Sequence, residues 1–420
     1  MRVLWVGHNL AYPPVRGVLL RDYNLLREAS KHCEVHVLAF DQPAARPPGV
    51  SADDCVAELG RFCAAVEVMS LAGAGSKAHK YWLAAYGLVS HNPYDLNWLW
   101  SRKMAERLRH TLGQMAFDTV HFDTVGLAQY RSLVGAGVGT VLNHHNVESA
   151  MMAHRAANEQ NLFRRQYWRW EAQKLRHAEE HFCPKFVVNM VVSPEDGQML
   201  AGLVPGLETR VIANGVDTEY FTPRADPGGN TLLFCGGLDW YPNREAMSYF
   251  FDALWPKLIK IIPDLRIVVI GRKPPKWLQD LGGFDNRVQV TGFVDDVRPY
   301  FREATAYVCP IRLGGGTRLK VLDALAMGMP FVGTSFACSG ISVEHERHVL
   351  LADTPETFVD QIVRLLADPG LRAELSVRGR ELVCRDYSWS IVGTSLLRAY
   401  SDAAAIAAGD SQNIGHSGAV

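Results

Sequence analysis

The sequence predicts an α/β protein made of two doubly wound domains, each built on a mostly parallel sheet. Three observations carry this. Short apolar runs alternate with stretches whose apolar residues recur at helical spacing, beginning at the first residue. Near 195–212 the alternation breaks, where PEDGQMLAGLVPGLETR mixes Pro, Gly and charge, and then it restarts. At 420 residues the chain is also longer than one ordinary core requires.

In chain order, the first half reads as strands MRVLWVG, CEVHVLAF, VEVMSL, FDTVHFD, GTVLNHHN and KFVVNMVVS. The stretch RDYNLLREASKH has helical spacing. Segment 73–115 departs from the rhythm and is rich in Trp, Tyr, Lys and Arg. The second half offers NTLLFCGGL, LRIVVIG, RVQVTGF, AYVCPI and PFVGT as strands. AMSYFFDALWPKLIKII reads as an amphipathic helix stopped by Pro263, and KVLDALAMG as another helix. TPETFVDQIVRLLAD has Thr354 as N-cap and Glu356 in its first turn. The expected domains are 1–200, 201–386, a helix over 387–408 returning to the first domain, and a disordered tail over 409–420.

Composition excludes several classes. With 43 basic against 44 acidic residues, the net charge of −1 gives no global attraction to nucleic acid. No run of 18 apolar residues occurs, so no spanning helix is expected. MRVLWVGHNL reads as a buried strand rather than a leader. The 8 cysteines form no C-x-x-C pair and read as small buried residues of a reducing cytoplasm. No G-x-G-x-x-G follows the first strand of either half, which disfavours a dinucleotide oxidoreductase.

Ligands of open parallel sheets bind beyond the carboxyl ends of strands. In the second half four strand-end loops stand out. The first holds Gly236 and Gly237, the second Gly271, Arg272 and Lys273, the third Gly292 and Phe293 ahead of Val294. The fourth is RLGGGTRLKVLDALAMGMP, with Gly315, Gly316, Thr317, Arg318, Lys320 and Asp323. One such loop is an ordinary turn; four together, with two cations, suit a diphosphate. Asp323 lies one helical turn beyond Lys320 and suits sugar hydroxyls. Asn214–Gly215 forms a turn ahead of Asp217.

In the first half, Gly17 follows the stiff Tyr12-Pro13-Pro14 loop, where its N–H can meet an anion. LNHHNVES ends a strand with His144 and His145, which point to opposite faces if the strand persists. At most one of them then faces the cleft, and a strand-end histidine can equally cap or make a core hydrogen bond. No H-E-x-x-H motif and no nearby cysteine support a metal there, so none is expected.

Together VIANGVDTEYFTP, VQVTGFVDDVRPYFREATAYVCPIRLGGGTRLKVLDALAMGMPFVGT and YSW at 387–389 resemble the GT-B glycosyltransferases, in particular the retaining, nucleotide-sugar-dependent family 4 enzymes. The resemblance covers about residues 1–400. YPPVRGVLLRDYNLL and HHNVES are similar to the subgroup found with bacterial exopolysaccharide gene clusters.

The resemblance implies two Rossmann-like domains facing across a cleft, with the acceptor in the first and the nucleotide sugar in the second. It maps the family's cleft histidine to His145, with His144 as the register-shifted alternative. Gly17 maps to the loop near the donor phosphates, and Gly292, Phe293 and Val294 to the base-binding strand end. Asn214–Asp217 map beside the nucleotide and the interdomain hinge. Of the family's E-x7-E pair, the second position is Asp323 and the first is Gly315, which is not acidic. The family's Arg and Lys after the first C-terminal strand are replaced by GGLDWYPN, and Arg318 and Lys320 supply positive charge instead.

The implied activity is glycosyl transfer with retention to a glycan or lipid-linked acceptor in exopolysaccharide or cell-surface glycan synthesis. The leaving diphosphate takes the acceptor proton, Arg318 and Lys320 stabilise its charge, and His145 hydrogen-bonds the donor sugar. No cofactor or metal is implied, and a UDP-sugar is favoured over a GDP-sugar. The alternatives are a nucleotide-sugar 2-epimerase and a non-catalytic scaffold with a degenerate donor site. The aromatic and basic segment 77–110 suggests peripheral contact with the inner face of the cytoplasmic membrane, against a plain helix pair with a solvated basic side.

Overall fold

The computed structural model describes residues 1–15, 17–314 and 319–416. It divides into two compact units, Met1–Ala213 with Val392–Val420, and Asn214–Ile391. Each contains one all-parallel sheet, with helices as the crossovers.

The first sheet contains β1 (Arg2–Gly7), β2 (Glu34–Asp41), β3 (Ala65–Ser70), β4 (Thr119–Phe122), β5 (Gly139–Asn143), β6 (Val188–Val191) and β7 (Thr209–Val211). Its order is β3-β2-β1-β4-β5-β6-β7. The second contains β8 (Thr231–Cys235), β9 (Arg266–Ile270), β10 (Val288–Gly292), β11 (Ala306–Cys309), β12 (Phe331–Gly333) and β13 (Leu350–Leu351), in the order β10-β9-β8-β11-β12-β13. Both orders reverse direction once, between β1 and β4 and between β8 and β11. Crevices form at such reversals because the loops leaving the two neighbouring strands diverge to opposite faces. All the strands read from the apolar runs are present. Their continuous apolar character reflects burial on both faces, as in β11 and β12, where every residue is buried.

Three expectations change. The boundary moves from 200/201 to Ala213/Asn214, because β7 pairs with β6 and belongs to the first sheet. The helix Trp389–His416 runs into the stretch expected to be disordered from 409. From Val392 it belongs to the first unit, where Tyr400 Oη lies 3.0 Å from His121 Nδ1 and Thr119 Oγ1 donates to the Tyr400 carbonyl. The helix expected to run unbroken to Pro263 contains a π-helical turn at Phe250–Leu254, ahead of helix Trp255–Ile261. Pro256 in that second helix has no N–H to donate, and a wider turn absorbs the lost bond.

Candidate functional site

In the second unit the strand-end glycines form a row. Gly236 N donates to the Ile270 carbonyl, and Gly271 N donates to the Gly292 carbonyl at 3.0 Å. The row is crowded. A Cβ at Gly271 would lie 2.1 Å from the Gly236 carbonyl oxygen, and one at Gly236 would lie 2.3 Å from Lys320 Nζ. Gly292 has φ +74°, which other residues rarely adopt. Phe293 beside it is 73% exposed, an apolar ring without cover at a strand end, and Val294 is half-buried.

Lys320 stands on helix Leu319–Ala326 and donates to Asn243 Oδ1 at 2.7 Å. Asn243 Nδ2 in turn donates to the Gly237 carbonyl at 2.7 Å. A cation is thus held against the glycine edge of β8. Asp323 follows on the same helix, half-buried, and burial pushes its carboxyl up to about 7 against the opposing pull of Lys320. Arg272 pairs with Asp239 at 2.9 Å beside Gly237, so its charge is already partly committed. Gly315, Gly316, Thr317 and Arg318 lie outside the described residues.

Asn214 is buried where the second unit begins. Two sequence motifs meet there. Val216 N donates to the Tyr387 carbonyl, and a Cβ on Gly215 would strike the Trp389 ring at 2.6 Å. The NGVD turn is therefore clamped by YSW, and Asp217 Oδ1 accepts the N–H groups of Glu219 and Tyr220. These contacts give the segment a packing role.

In the first unit the two histidines part as alternation requires. His144 turns inward, with Nε2 3.1 Å from Asn189 Oδ1, and burial lowers its pKa to about 4, so it is a neutral core residue. His145 places Nε2 3.1 Å from Asp123 Oδ1. His8, which follows β1, places Nδ1 2.5 Å from Asp123 Oδ2. Asp123 follows β4, so this group occupies the β1/β4 reversal. Burial opposes ionisation of Asp123, but the charges of His145 and His8 outweigh it and hold the carboxyl well below the usual range. Gly17 is the exposed first residue of helix Gly17–Ser30. Arg21 on that helix donates to the carbonyls of Ala213 and Ile212.

His8 and His145 also line a cavity of 460 Å³ with Gln42, Tyr94, Trp98 and Glu148. Tyr94 stacks on Trp98, whose Nε1 donates to Gln42 Oε1 at 3.3 Å. Burial, reinforced by Asp95, pushes the Glu148 carboxyl up to about 8. Aromatic faces beside amide and carboxyl groups suit a polyhydroxylated ligand.

The reading of the sequence missed His8, Asp123 and the cavity. The signal was present: VGHN and VHFD end strands just as the glycine loops do. Strand-end logic exposed the second half because its loops are glycine-rich, whereas His8 and Asp123 look ordinary alone.

Comparison with known proteins bears on the fold and the family. The sequence matches the family model described as "Glycosyltransferase Family 4" over residues 22–220. It matches the one described as "Glycosyl transferases group 1" over residues 229–368. A phosphatidyl-myo-inositol mannosyltransferase of Mycobacterium leprae is 28% identical over 209 residues, 47% of this chain and 55% of that protein. The match thus spans about half the length of that curated relative. Sucrose-phosphate synthase from Thermosynechococcus elongatus has a similar fold, with TM-score 0.67 at 16% identity over 96% of this chain and 98% of that one. Anabaena Alr3699/HepE in complex with UDP and glucose aligns with TM-score 0.62 at 12% identity over 96% and 99%. Two Rossmann-like units of this topology define the GT-B fold. The two glycosyltransferase family models, over successive parts of the chain, and the shared fold support a family 4-like GT-B glycosyltransferase.

Proposed function

We propose that the chain transfers a glycosyl group from a nucleotide-diphosphate sugar to a hydroxyl of a glycan or lipid-linked acceptor, with retention. The observation that carries this is the row Gly236, Gly271 and Gly292 with Lys320 held against it. Glycines let a ligand approach the backbone closely, and the ammonium compensates phosphate charge. Asp323 accepts ribose hydroxyls in its ionised form. As the bond from the sugar C1 to the diphosphate oxygen breaks, the acceptor oxygen bonds to C1 on the same face and its proton passes to the departing diphosphate. Lys320, with Arg318 two positions before it in the sequence, stabilises the charge on that leaving group.

The acceptor occupies the cavity of the first unit, with the Trp98 face as its platform. The donor is read as a UDP-sugar. HepE was solved with UDP and glucose, while the mycobacterial relative is named for mannose, so a donor screen includes both UDP- and GDP-sugars. The biosynthetic setting is bacterial exopolysaccharide or cell-surface glycan. No helix among the described residues is long and apolar enough to cross a membrane. Helix Lys77–Gly87 exposes Tyr81, Trp82 and Tyr86 beside Lys77 and Lys80, which supports peripheral contact with an anionic bilayer.

The deciding experiment is a donor screen by thermal shift, followed by NMR of the product anomer with a lipid-linked or glycan acceptor. A product of inverted configuration overturns retention. An epimerised sugar formed from the donor alone, without acceptor, overturns transfer.

A further inference from the structure

Helix Leu162–Phe182 supplies two buried carboxylates to its neighbours. Glu171 Oε2 accepts the Tyr94 N–H at 2.9 Å, where helix Tyr94–Leu99 begins. Glu179 Oε1 accepts the Ser149 N–H at 3.2 Å, and its Oε2 accepts the Ser149 hydroxyl, where helix Glu148–Ala157 begins. Each of those helices has an acid of its own in its first turn, Asp95 in one and Glu148 in the other. An acid at that position commonly serves the open N–H groups of the turn. Here a carboxylate from the neighbouring helix takes that place. Among the described residues, neither Asp95 nor Glu148 has a side-chain hydrogen bond or an ion pair.

Both acids are half-buried and line the 460 Å³ cavity. Gln42, which also lines it, is committed within the fold. Its Oε1 accepts from Trp98 Nε1 at 3.3 Å, and its Nε2 donates to the His8 carbonyl at 2.8 Å. His8 and His145 are held by Asp123. Asp95 and Glu148 are thus carboxyls that the fold leaves for a ligand. Burial raises both, Asp95 with help from Glu171 against the pull of His8, and Glu148 with help from Asp95 and Glu179. A carboxyl in either protonation state can meet a sugar hydroxyl, since the hydroxyl both donates and accepts.

We propose that Asp95 and Glu148 determine acceptor specificity, each holding one hydroxyl of a pyranose packed against Trp98. The role of both residues rests on the acceptor occupying this cavity. The class of acceptor is a pyranose with free hydroxyls at both positions. A deoxy sugar, or one already substituted there, leaves a half-buried carboxyl without a partner. Sites built to bond a hydroxyl reject the analogue lacking it far more strongly than an apolar pocket rejects a missing methylene. Packing on the aromatic ring supplies affinity but does not tell one hydroxyl from another.

The test titrates the full chain with methyl gluco-, galacto- and mannopyranosides, read by saturation-transfer NMR, and then with the monodeoxy analogues of the tightest binder. The wild type is expected to lose roughly tenfold or more in affinity for two of the analogues. Glu148→Ala loses a similar factor for the parent sugar and becomes indifferent to one of those two deletions. Asp95→Ala becomes indifferent to the other. Glu148→Gln keeps an accepting oxygen and retains most of the parent's affinity. None of these variants lowers Tm, because neither carboxyl holds a bond within the fold, and a thermal melt checks it. Glu148→Gln and Asp95→Asn carry the test should an alanine variant fail to fold. Variants that bind and select as the wild type does overturn the assignment. So does a variant that binds every sugar more weakly with unchanged selectivity, since that is a structural effect. Trp98→Ala separates this assignment from the acceptor reading beneath it. If it weakens binding while the acid variants behave as wild type, the sugar sits in the cavity and only the specificity roles fall. If it binds as wild type, the acceptor reading falls and takes the roles with it. No hexoside bound by the wild type at any soluble concentration overturns the assignment as well.

Discussion

The carboxyl edges of the two sheets differ in what they present. At the first edge His8, Asp123 and His145 offer side chains, joined by Asp22 from the following helix. At the second, Gly236, Gly237, Gly271 and Gly292 offer backbone, with Lys320 as the cation laid against it. The first sheet repeats the strand order of the second and adds β7 at its edge, so at the reversal the difference comes from the loops. A glycine edge admits close approach by a large anion. An edge of imidazoles and carboxylates instead places titratable groups around a small centre. The lesson is that one topology, used twice, is specialised by side-chain volume just past each strand.

This contrast breaks first at Lys320. Lys320→Ala is expected to lower kcat by about 10²–10³-fold with weakened donor binding, the cost of losing one preorganised charge at the leaving group. Near-wild-type turnover in steady-state assays would remove the second edge from the chemistry. Next comes Gly271→Ala. Its Cβ would meet a backbone oxygen at 2.1 Å, which no side-chain movement relieves. A stability loss of about 3 kcal/mol is expected in urea unfolding. At the first edge, Trp98→Ala should raise acceptor KM by about 10-fold while donor Kd stays unchanged. If donor affinity falls instead, the two edges are not divided between the two substrates.

A smaller effect follows from Asp323, whose carboxyl is pushed up to about 7 by burial. If the ionised form accepts ribose hydroxyls, nucleotide affinity rises between pH 6 and 8, and Asp323→Asn flattens the profile in calorimetric titrations. The stability sign is opposite. The unfolded carboxyl loses its proton near about 3.9, while the folded one keeps it to about 7. In that window the native state binds more protons, so the contribution of this group to stability falls as pH rises. Smallest is Thr354→Ala, remote from both edges. Thr354 and Thr357 form a reciprocal cap with both bonds at 3.2 Å. Its loss should cost about 1 kcal/mol and leave kcat unchanged.

Much of this is legible in the sequence. Strands showed as apolar runs because burial on both faces writes its signature within five or six contiguous residues. The glycine edge was legible for a similar reason: Gly at a strand end is visible inside one segment. The domain boundary was not, because β7 declares its sheet only by pairing with β6. The histidine pair was half legible. Alternation said that His144 and His145 diverge, and only Asn189 on one side and Asp123 on the other decided which turns inward.

By itself, then, the sequence determined two α/β units, the strand-end glycines, the Lys320–Asp323 spacing and the family. These are written in local pattern, where the spacing of neighbouring residues carries the physics. The tertiary structure alone decided that Gly215 packs under Trp389 and that Lys320 reaches Asn243. It also decided that His8 meets Asp123 across 115 positions of chain. Parallel strands can neighbour one another only through long crossovers. The groups that meet at a sheet reversal therefore come from distant segments, and register, not spacing, brings them together.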